Sequence, residues 1–328
     1  MSCSRVQADT VVFNATITAC EKGHQWLRSL MLLQGLHAAR LQADAVSFSA
    51  AISSCEKGQQ WARSLWLLVE MQAQGLRPAT LSFNSAISAC EKGHQWQAAL
   101  HLLVELRQLA LRADVISYSA AITACAKCQK WPQALDLLAE LRRTRLRPDV
   151  VTYSTTVSAC DRGQQWKRAL HLLEEMSWDR LQPDSVAYTA LLSACAEGQR
   201  WALALKLWDE MRSRDLQATP MSFSAAAAAY SRAQRWQQVL ALLVQMRSQK
   251  LEPTAAMYNA VAAGYGEDLE WNKALLLLSE IRHRGPQPDS LFYGALVGEC
   301  DRASRWAQAL GLVAEMSAHT LQADAVTF

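Results

Sequence analysis

Apolar and small residues recur along this chain at spacings of three and four, the pattern that predicts amphipathic α-helices. In the segment from Ser82 to Lys92, for example, Phe83, Ala86, Ile87 and Cys90 fall on one helical face. A period of two, which is typical of half-buried β-strands, occurs nowhere in the sequence. We therefore predict an all-α fold.

A second helix is predicted shortly after the first, from near Gln95 to about Arg107. Its apolar stripe begins at Trp96, and Gly93, between the two helices, suits the position just after a helix end. The connector to the next helix often has proline before its last residue, and proline stops a helix and fixes the direction of the chain. These prolines are Pro78, Pro148, Pro183, Pro253 and Pro288.

The predicted pair of helices recurs every 35 residues. Its most regular marker is tryptophan, at Trp26, Trp61, Trp96, Trp131, Trp166, Trp201, Trp236, Trp271 and Trp306. A fixed period of this kind indicates one small unit copied in tandem, whose neighbours stack and share a core. We expect the tryptophan to anchor that core, so that its truncation to alanine costs ~3–5 kcal/mol.

Nine full repeats fit the sequence. They span residues 10–44, 45–79, 80–114, 115–149, 150–184, 185–219, 220–254, 255–289 and 290–324. Residues 1–9 match the end of a repeat and residues 325–328 the start of another, so we expect either an excerpt of a longer array or a gene model cut at both ends. Because a pair of short helices cannot bury both faces alone, one continuous α-solenoid is predicted, although 328 residues would otherwise suggest two domains.

Composition excludes several classes of function. The net charge of +3 is only a weak indication of a polyanionic partner, and no apolar run is long enough to span a membrane. Seven of the nine cysteines occupy equivalent places in successive repeats, which favours small buried side chains over disulfides. The lone C-x-x-C pair, Cys125 and Cys128, lacks the second pair that a zinc site needs. With no catalytic grouping either, we predict no enzyme, no cofactor and no metal.

Several motifs together resemble the pentatricopeptide repeat. In the fifth repeat they are the segments Val150–Cys160 and Arg168–Met176, closed by Leu-Gln-Pro-Asp at 181–184. The resemblance covers essentially the whole chain, and the uniform 35-residue repeats are similar to the P-type branch, whereas tetratricopeptide repeats run at 34 residues. The tryptophan departs from the commonest consensus, which has leucine there. The resemblance implies a right-handed superhelical α-solenoid of tandem two-helix repeats that binds single-stranded RNA, one base per repeat.

By this resemblance, the fifth and the last residue of each repeat read the base. The reading pairs are Asn14 with Asp44, Ser49 with Ala79, Asn84 with Asp114, Ser119 with Asp149, Ser154 with Asp184, Thr189 with Thr219, Ser224 with Thr254, Asn259 with Asp289, and Gly294 with Asp324. The fifth residue varies although the scaffold around it barely changes, which favours reading. Capping is the alternative, above all for Asp directly before a helix, and both roles can coexist.

The chemistry of the reading pairs indicates particular bases. Asn offers a donor and an acceptor, which match the edge of uracil, whereas a hydroxyl beside an acceptor-only Asp suits the donors of guanine. By the family's code, Asn with Asp favours U and Ser with Asp favours G. A parallel reading gives 5′-UNUGGNNUN-3′, in which repeats two, six, seven and nine stay open.

Two further sets complete the predicted interface. The resemblance assigns the second residue of each repeat to an apolar wall that sandwiches the base, with ordinary packing as an equal alternative: Val11, Val46, Leu81, Ile116, Val151, Val186, Met221, Ala256 and Leu291. A basic stripe at the thirteenth place suits the phosphates, with a solvated helix end as the alternative. It comprises Lys22, Lys57, Lys92, Lys127, Arg162, Arg232 and Arg302.

We therefore expect sequence-specific binding of single-stranded RNA. By resemblance, the setting is a chloroplast or mitochondrion, and the role is transcript stabilisation, processing, splicing or translation. The expected partner is RNA, with room for proteins of an RNA-processing complex; no membrane is involved, and the oligomeric state is open. Two alternatives remain: a protein-interaction scaffold, which predicts no selectivity among RNAs, and the RNA-binding arm of a larger RNA-processing enzyme, although the chain carries no deaminase signature.

Overall fold

The computed structural model describes residues 10–38, 41–254, 257–260, 293–294, 297 and 306–318. All regular secondary structure in these ranges is helical. The helices are α1 (Thr10–Lys22), α2 (Trp26–Ala38), α3 (Ala45–Lys57), α4 (Trp61–Ala73), α5 (Thr80–Lys92), α6 (Trp96–Gln108), α7 (Val115–Lys127), α8 (Trp131–Arg143), α9 (Val150–Arg162), α10 (Trp166–Trp178), α11 (Ser185–Glu197), α12 (Trp201–Ser213), α13 (Pro220–Arg232), α14 (Trp236–Ser248) and α15 (Trp306–Ala318). The two helices predicted between Ser82 and Arg107 are confirmed as α5 and α6.

Contacts divide the chain into two compact bodies. The N-terminal body lies within residues 1–163 and 178–181, and the C-terminal body within 164–177 and 182–328. In the N-terminal body, the first helices of successive repeats, α1, α3, α5, α7 and α9, pack side by side, and each of α2, α4, α6 and α8 packs on its own first helix and on the next one. In the C-terminal body, α11 packs on α12 and α13, and α13 also packs on α12 and α14. Both bodies are therefore built from helix pairs that stack along the chain.

The aromatic residue of each first helix, thirteen places before the tryptophan, forms the core. Its side chain is at most 1 % exposed in seven repeats, at Phe48, Phe83, Tyr118, Tyr153, Tyr188, Phe223 and Tyr293. The expectation that the repeated tryptophan anchors the core is wrong in this respect. Trp26, Trp61, Trp96, Trp131 and Trp166 are only partly buried, and Trp201 is 40 % exposed. The indole lies at the boundary between repeats rather than at their centre.

The tryptophan also explains the glycine that follows the first helix in the second, third, fifth and sixth repeats, Gly58, Gly93, Gly163 and Gly198. At Gly93, an added Cβ would lie 2.3 Å from Cδ1 of Trp61 in the preceding repeat. Gly93 has an ordinary φ of −87°, and the left-handed backbone falls on the next residue, His94, with φ of 55°. Gly93 thus directly follows α5, as predicted, but without the left-handed backbone that often favours glycine at such a place. It is required because the indole occupies the space of its missing side chain.

Replacing Phe83 by alanine is expected to destabilise the chain by ~3–5 kcal/mol, because its buried ring leaves a large cavity. We expect Trp61→Ala to cost clearly less, since part of its surface stays in water in the folded protein. The measurement is the midpoint of urea unfolding of the whole chain for each variant. If the two variants shifted the unfolding midpoint equally, Trp61 would contribute as much to the core as Phe83.

The cysteines behave as the sequence indicates. Cys20, Cys55, Cys90, Cys125, Cys128, Cys160 and Cys195 are free thiols. Burial raises the pKa of Cys55 and Cys90 to about 11 and that of Cys125 to about 12. These thiols therefore stay protonated and act as small apolar side chains. Cys300 lies outside the described residues.

Candidate nucleic-acid interface

The second residue of each repeat is an exposed apolar side chain. Exposure ranges from 52 % to 75 % over Val11, Val46, Leu81, Ile116, Val151, Val186 and Met221. The first five lie at the start of neighbouring, packed helices of the N-terminal body. Ordinary packing therefore does not account for these seven residues, and contiguous exposed apolar surface is typical of a binding site. Ala256 and Leu291, predicted for the same wall, lie outside the described residues.

Two repeats hold the Asn–Asp reading pair in the same arrangement. Nδ2 of Asn14 lies 3.1 and 3.0 Å from the two carboxylate oxygens of Asp44, and Nδ2 of Asn84 lies 3.1 and 3.2 Å from those of Asp114. The structure thus brings together residues that are thirty places apart in sequence. The two side chains of each pair hold one another in place.

The hydroxyl-bearing reading residues are less uniform. Oγ1 of Thr189 lies 3.4 Å from Oγ1 of Thr219, and Oγ of Ser224 lies 2.5 Å from Oγ1 of Thr254. Ser49 and Ser119 instead contact hydroxyls of the following helix, at Ser82 and Thr152 respectively.

The remaining reading residues are described only in part. Ser154 is buried in α9, and Asn259 and Gly294 are helical. Asp289 and Asp324 lie outside the described residues. Ala79, whose side chain lacks a polar group, precedes α5 without a side-chain cap.

The last residue of each repeat is also a helix cap. Asp44, Asp114, Asp149, Asp184 and Thr219 each accept a hydrogen bond from the main-chain N–H three residues later, at the start of α3, α7, α9, α11 and α13. The capping role is therefore confirmed for these five residues. For Asp44 and Asp114, it coexists with the bond to the asparagine of the preceding helix.

These contacts change the acidity of Asp44. Burial raises its pKa, but hydrogen bonds from the main chain and hydroxyl of Ser47 and from the amide of Asn14 outweigh that effect and hold the pKa below the usual value of 3.8. The ionised form is therefore favoured by folding. This carboxylate stays charged and acceptor-only at neutral pH.

The lowered pKa of Asp44 predicts a dependence of stability on pH. Its contribution is fully present above the unfolded value and is lost as the pH falls through the lower, folded value. Asp44→Asn should lower the melting temperature at pH 7 and reduce the further loss between pH 4 and the acid limit of folding. Thermal melts across this range check the expectation, which fails if the variant and the unchanged chain lose stability in parallel.

Five residues of the basic stripe bind to oxygen atoms of the preceding repeat. Three lysines lie 3.0–3.1 Å from a glutamate oxygen: Lys57 with Glu21, Lys92 with Glu56, and Lys127 with Glu91. The two arginines donate to main-chain oxygens: Arg162 to Ala126 and Arg232 to Ala196. Such partly exposed ion pairs add little stability but restrict where the cation lies. An ammonium has three donors, so pairing with one carboxylate leaves donors for a phosphate. Arg302 lies outside the described residues.

Sequence reasoning missed these glutamates. The signal was present, because Glu-Lys-Gly recurs at the end of three first helices (residues 21–23, 56–58 and 91–93). It was not interpreted because the partners are 36 residues apart and belong to different repeats.

The chain matches three family models. The PPR repeat family matches residues 113–162, the pentatricopeptide repeat domain matches 171–231, and a PPR repeat matches 256–286. The chain is a pentatricopeptide repeat protein. The resemblance deduced from its motifs is thereby confirmed, and the matched segments fall in both bodies.

This pentatricopeptide repeat protein is also similar to solved structures. The crystal structure of the pentatricopeptide repeat protein PPR10 from maize matches with a TM-score of 0.63 and 24 % identity, over 96 % of this chain and 45 % of that one. PPR10 in complex with an 18-nucleotide psaJ RNA element matches with a TM-score of 0.59 and 16 % identity, over 97 % and 56 %. The predicted all-α solenoid is thereby confirmed. The chain spans about half the length of these structures, and no curated protein sequence matches it.

In the part of the chain that the structure describes, no group of three His, Cys, Asp or Glu side chains is placed to hold a metal ion. Among the described helices, none is long and apolar enough to cross a membrane.

Proposed function

We propose that the nine repeats over residues 10–324 bind single-stranded RNA in a sequence-specific manner, one base per repeat, with the target 5′-UNUGGNNUN-3′. The protein acts by recognition rather than chemistry. Its site of action is a chloroplast or mitochondrion, where bound RNA is stabilised, processed, spliced or translated. The family and the RNA-bound state of the similar PPR10 structure support this proposal.

The observation that carries the proposal is the exposed apolar wall beside the polar reading pairs. In the third repeat, Leu81 is 67 % exposed, and Asn84 follows one helical turn later with Asp114 bonded to it. An exposed apolar side chain next to a donor–acceptor pair is the combination that a nucleobase needs, because the faces of the base are apolar and its edges are polar. The same combination recurs in the first and fourth repeats, at Val11 with Asn14 and at Ile116 with Ser119.

The lysines at the ends of the first helices support the same proposal. Lys57, Lys92 and Lys127 recur at one place in successive repeats, where a strand that follows the reading pairs would place successive phosphates. A scaffold for protein partners would need the exposed apolar side chains but not the reading pairs or this spacing of cations.

Selection from a random single-stranded RNA pool, at a stated salt concentration, tests the proposal. We expect enrichment of UNUGGNNU in this order, which would fix the register and the polarity of binding. Binding that is salt-sensitive but enriches no sequence would contradict the proposal and favour the protein scaffold. A companion variant carries Leu81→Asp and Ile116→Asp, which remove the apolar wall of the third and fourth repeats. RNA selected by this variant should show no base preference at the third and fourth positions and an unchanged preference at the others.

A further inference from the structure

A buried hydroxyl group of the following repeat contacts several reading residues. The third residue of five repeats is Ser or Thr, and its side chain is fully buried: Ser47, Ser82, Ser117, Thr152 and Ser222. In four cases it contacts the reading residue of the preceding repeat, at 2.5 Å for Ser47 with Asn14, 2.7 Å for Ser82 with Ser49, 2.5 Å for Ser117 with Asn84, and 2.6 Å for Thr152 with Ser119. We propose that this hydroxyl is a positioning residue, which sets the hydrogen-bonding groups that the reader presents to the base. The inference rests on the proposed RNA-binding function.

The fourth repeat shows how the hydroxyl acts. Oγ1 of Thr152 lies 2.6 Å from Oδ1 of Asp149, and its own N–H also bonds to that oxygen. An ionised carboxylate only accepts, so the hydroxyl proton of Thr152 points to Asp149. The oxygen of Thr152 is then free to accept the proton of Ser119. This relay leaves the Ser119 oxygen with lone pairs alone, which accept from a base that presents donors, such as guanine.

In the third repeat the hydroxyl fixes an amide instead. Oγ of Ser117 lies 2.5 Å from Oδ1 of Asn84 and 2.8 Å from Oδ1 of Asp114, while Nδ2 of Asn84 faces both oxygens of Asp114. Both of these Oδ1 atoms only accept, so they share the single hydroxyl proton of Ser117, and the shorter contact is the one to the amide. The two oxygens of one carboxylate are too close together to take separate protons of the same amide nitrogen. One amide proton and one lone pair of Asn84 therefore remain for the base. This donor–acceptor combination matches the edge of uracil.

The test uses nearly isosteric variants of α9. Thr152→Val removes the hydroxyl but keeps the side-chain shape and the N–H that bonds to Asp149. Thr156→Val is the matched control, because Thr156 is equally buried in the same helix and bonds only to the main chain of Thr152. Thr152→Ser restores the hydroxyl. Binding is measured to four RNAs that differ only at the base read by the fourth repeat.

For the unchanged chain, Thr156→Val and Thr152→Ser, we expect preference for G at this base. Thr152→Val should lower that preference about fivefold to tenfold without changing the preference for U at the third base. If Thr152→Val binds RNA and keeps the full preference for G, the relay is wrong. If the unchanged chain shows no base preference in any repeat, the proposed function itself fails. If Thr156→Val lost the preference for G to the same extent, the effect of Thr152→Val would come from altered packing of α9 and the proposed relay would be wrong.

A second and independent observation is a basic cavity in the N-terminal body. Its volume is about 640 Å³, and it lies between the connectors that follow α8 and that follow α10. Its lining includes Arg142, Arg145, Arg147, Arg180, Trp178 and Asp179. Four guanidinium groups thus face one carboxylate around a space large enough for a small molecule.

Most of this charge is not compensated. Arg142 lies 3.8 Å from Asp179, and Tyr153 donates its hydroxyl proton to the same carboxylate. The side chains of Arg145, Arg147 and Arg180 form no ion pair with any other residue that the structure describes. Trp178 is 72 % exposed at the edge of the cavity. The cavity therefore combines an excess of planar cations with an accessible aromatic face.

We infer that this cavity binds a nucleoside phosphate. Guanidinium groups bind phosphate oxygens in pairs, and an indole stacks on a nucleobase. The ligand is either a free nucleotide or a nucleotide of an RNA strand that extends beyond the reading pairs. Both sources present the same chemistry to the arginines and to Trp178.

Fluorescently labelled ATP and labelled RNA with uridine extensions on the predicted target distinguish the two sources. We expect the double variant Arg145→Ala with Arg147→Ala to bind one of these ligands about tenfold or more weakly. Arg143 is an exposed neighbour outside the cavity lining, so Arg143→Ala should change the same affinity less than about twofold. If the double variant loses ATP binding, the ligand is a free nucleotide. If the uridine extension no longer increases the affinity for RNA in that variant, the ligand is a nucleotide of the RNA strand. An equal effect of Arg143→Ala, or no binding by either ligand, overturns the inference.

Discussion

Gly93→Ala is expected to destabilise the chain by ~1–3 kcal/mol, although alanine is the better residue in helical backbone. The added Cβ would lie 2.3 Å from Cδ1 and 2.6 Å from Cγ of Trp61, distances at which the indole ring must move. Gly93 has a negative φ, so no backbone strain offsets or adds to this effect. Urea unfolding of the whole chain measures the loss, which is expected at the junction of the second and third repeats.

The first repeat provides the matched control. Gly23 stands at the same place after its helix, but the nearest atom to its added Cβ is the carbonyl oxygen of Ala19 at 3.4 Å, and no indole is near. Gly23→Ala should therefore be close to neutral. In the fourth repeat Cys128 occupies this place, so the position accepts a larger side chain there, which limits the expected effect. If both glycine variants are neutral, the indole does not require the glycine.

The helices and their order could be predicted because they depend on local patterns. The spacing of Phe83, Ile87 and Cys90 defines one helical face without reference to any other part of the chain, and the 35-residue period then repeats the assignment. The role of the tryptophan could not be deduced in the same way. Periodicity shows that Trp61 matters in every repeat, but not whether its ring lies at the centre of a repeat or against Gly93 of the next one.

In the candidate site, too, the positions of the residues could be predicted from the sequence, whereas their contacts with other repeats could not. The resemblance placed the reading residues, and the bond between Asn84 and Asp114 agrees with that pairing. Whether Leu81 packs inside or lies in solvent could not be decided, since both roles need an apolar residue; its 67 % exposure favours the wall. The hydroxyl of Ser117 was not identified as part of the site because its neighbour Asn84 is 33 residues away.

Asn84→Ser is expected to change the base preferred by the third repeat from U to G, with a change in relative affinity of ~1–3 kcal/mol. The substitution removes the amide that bonds to Asp114 and places a hydroxyl beside Ser117. The result resembles the fourth repeat, in which Ser119, Thr152 and Asp149 lie in the corresponding places. The measurement is the affinity for two RNAs that differ only in U or G at the third base.

The same protein contains the control for this change. Asn14 and Asp44 of the first repeat make the same bonds as the third-repeat pair, so the preference for U at the first base should not change. The cap of α7 by Asp114 is untouched, so the melting temperature should change little. A variant that keeps its preference for U at the third base would show that Asn84 does not read it, because the only hydrogen-bonding group removed is the amide. A loss of preference at both bases would instead indicate a general loosening of the repeats, and the melting temperature would then fall with it.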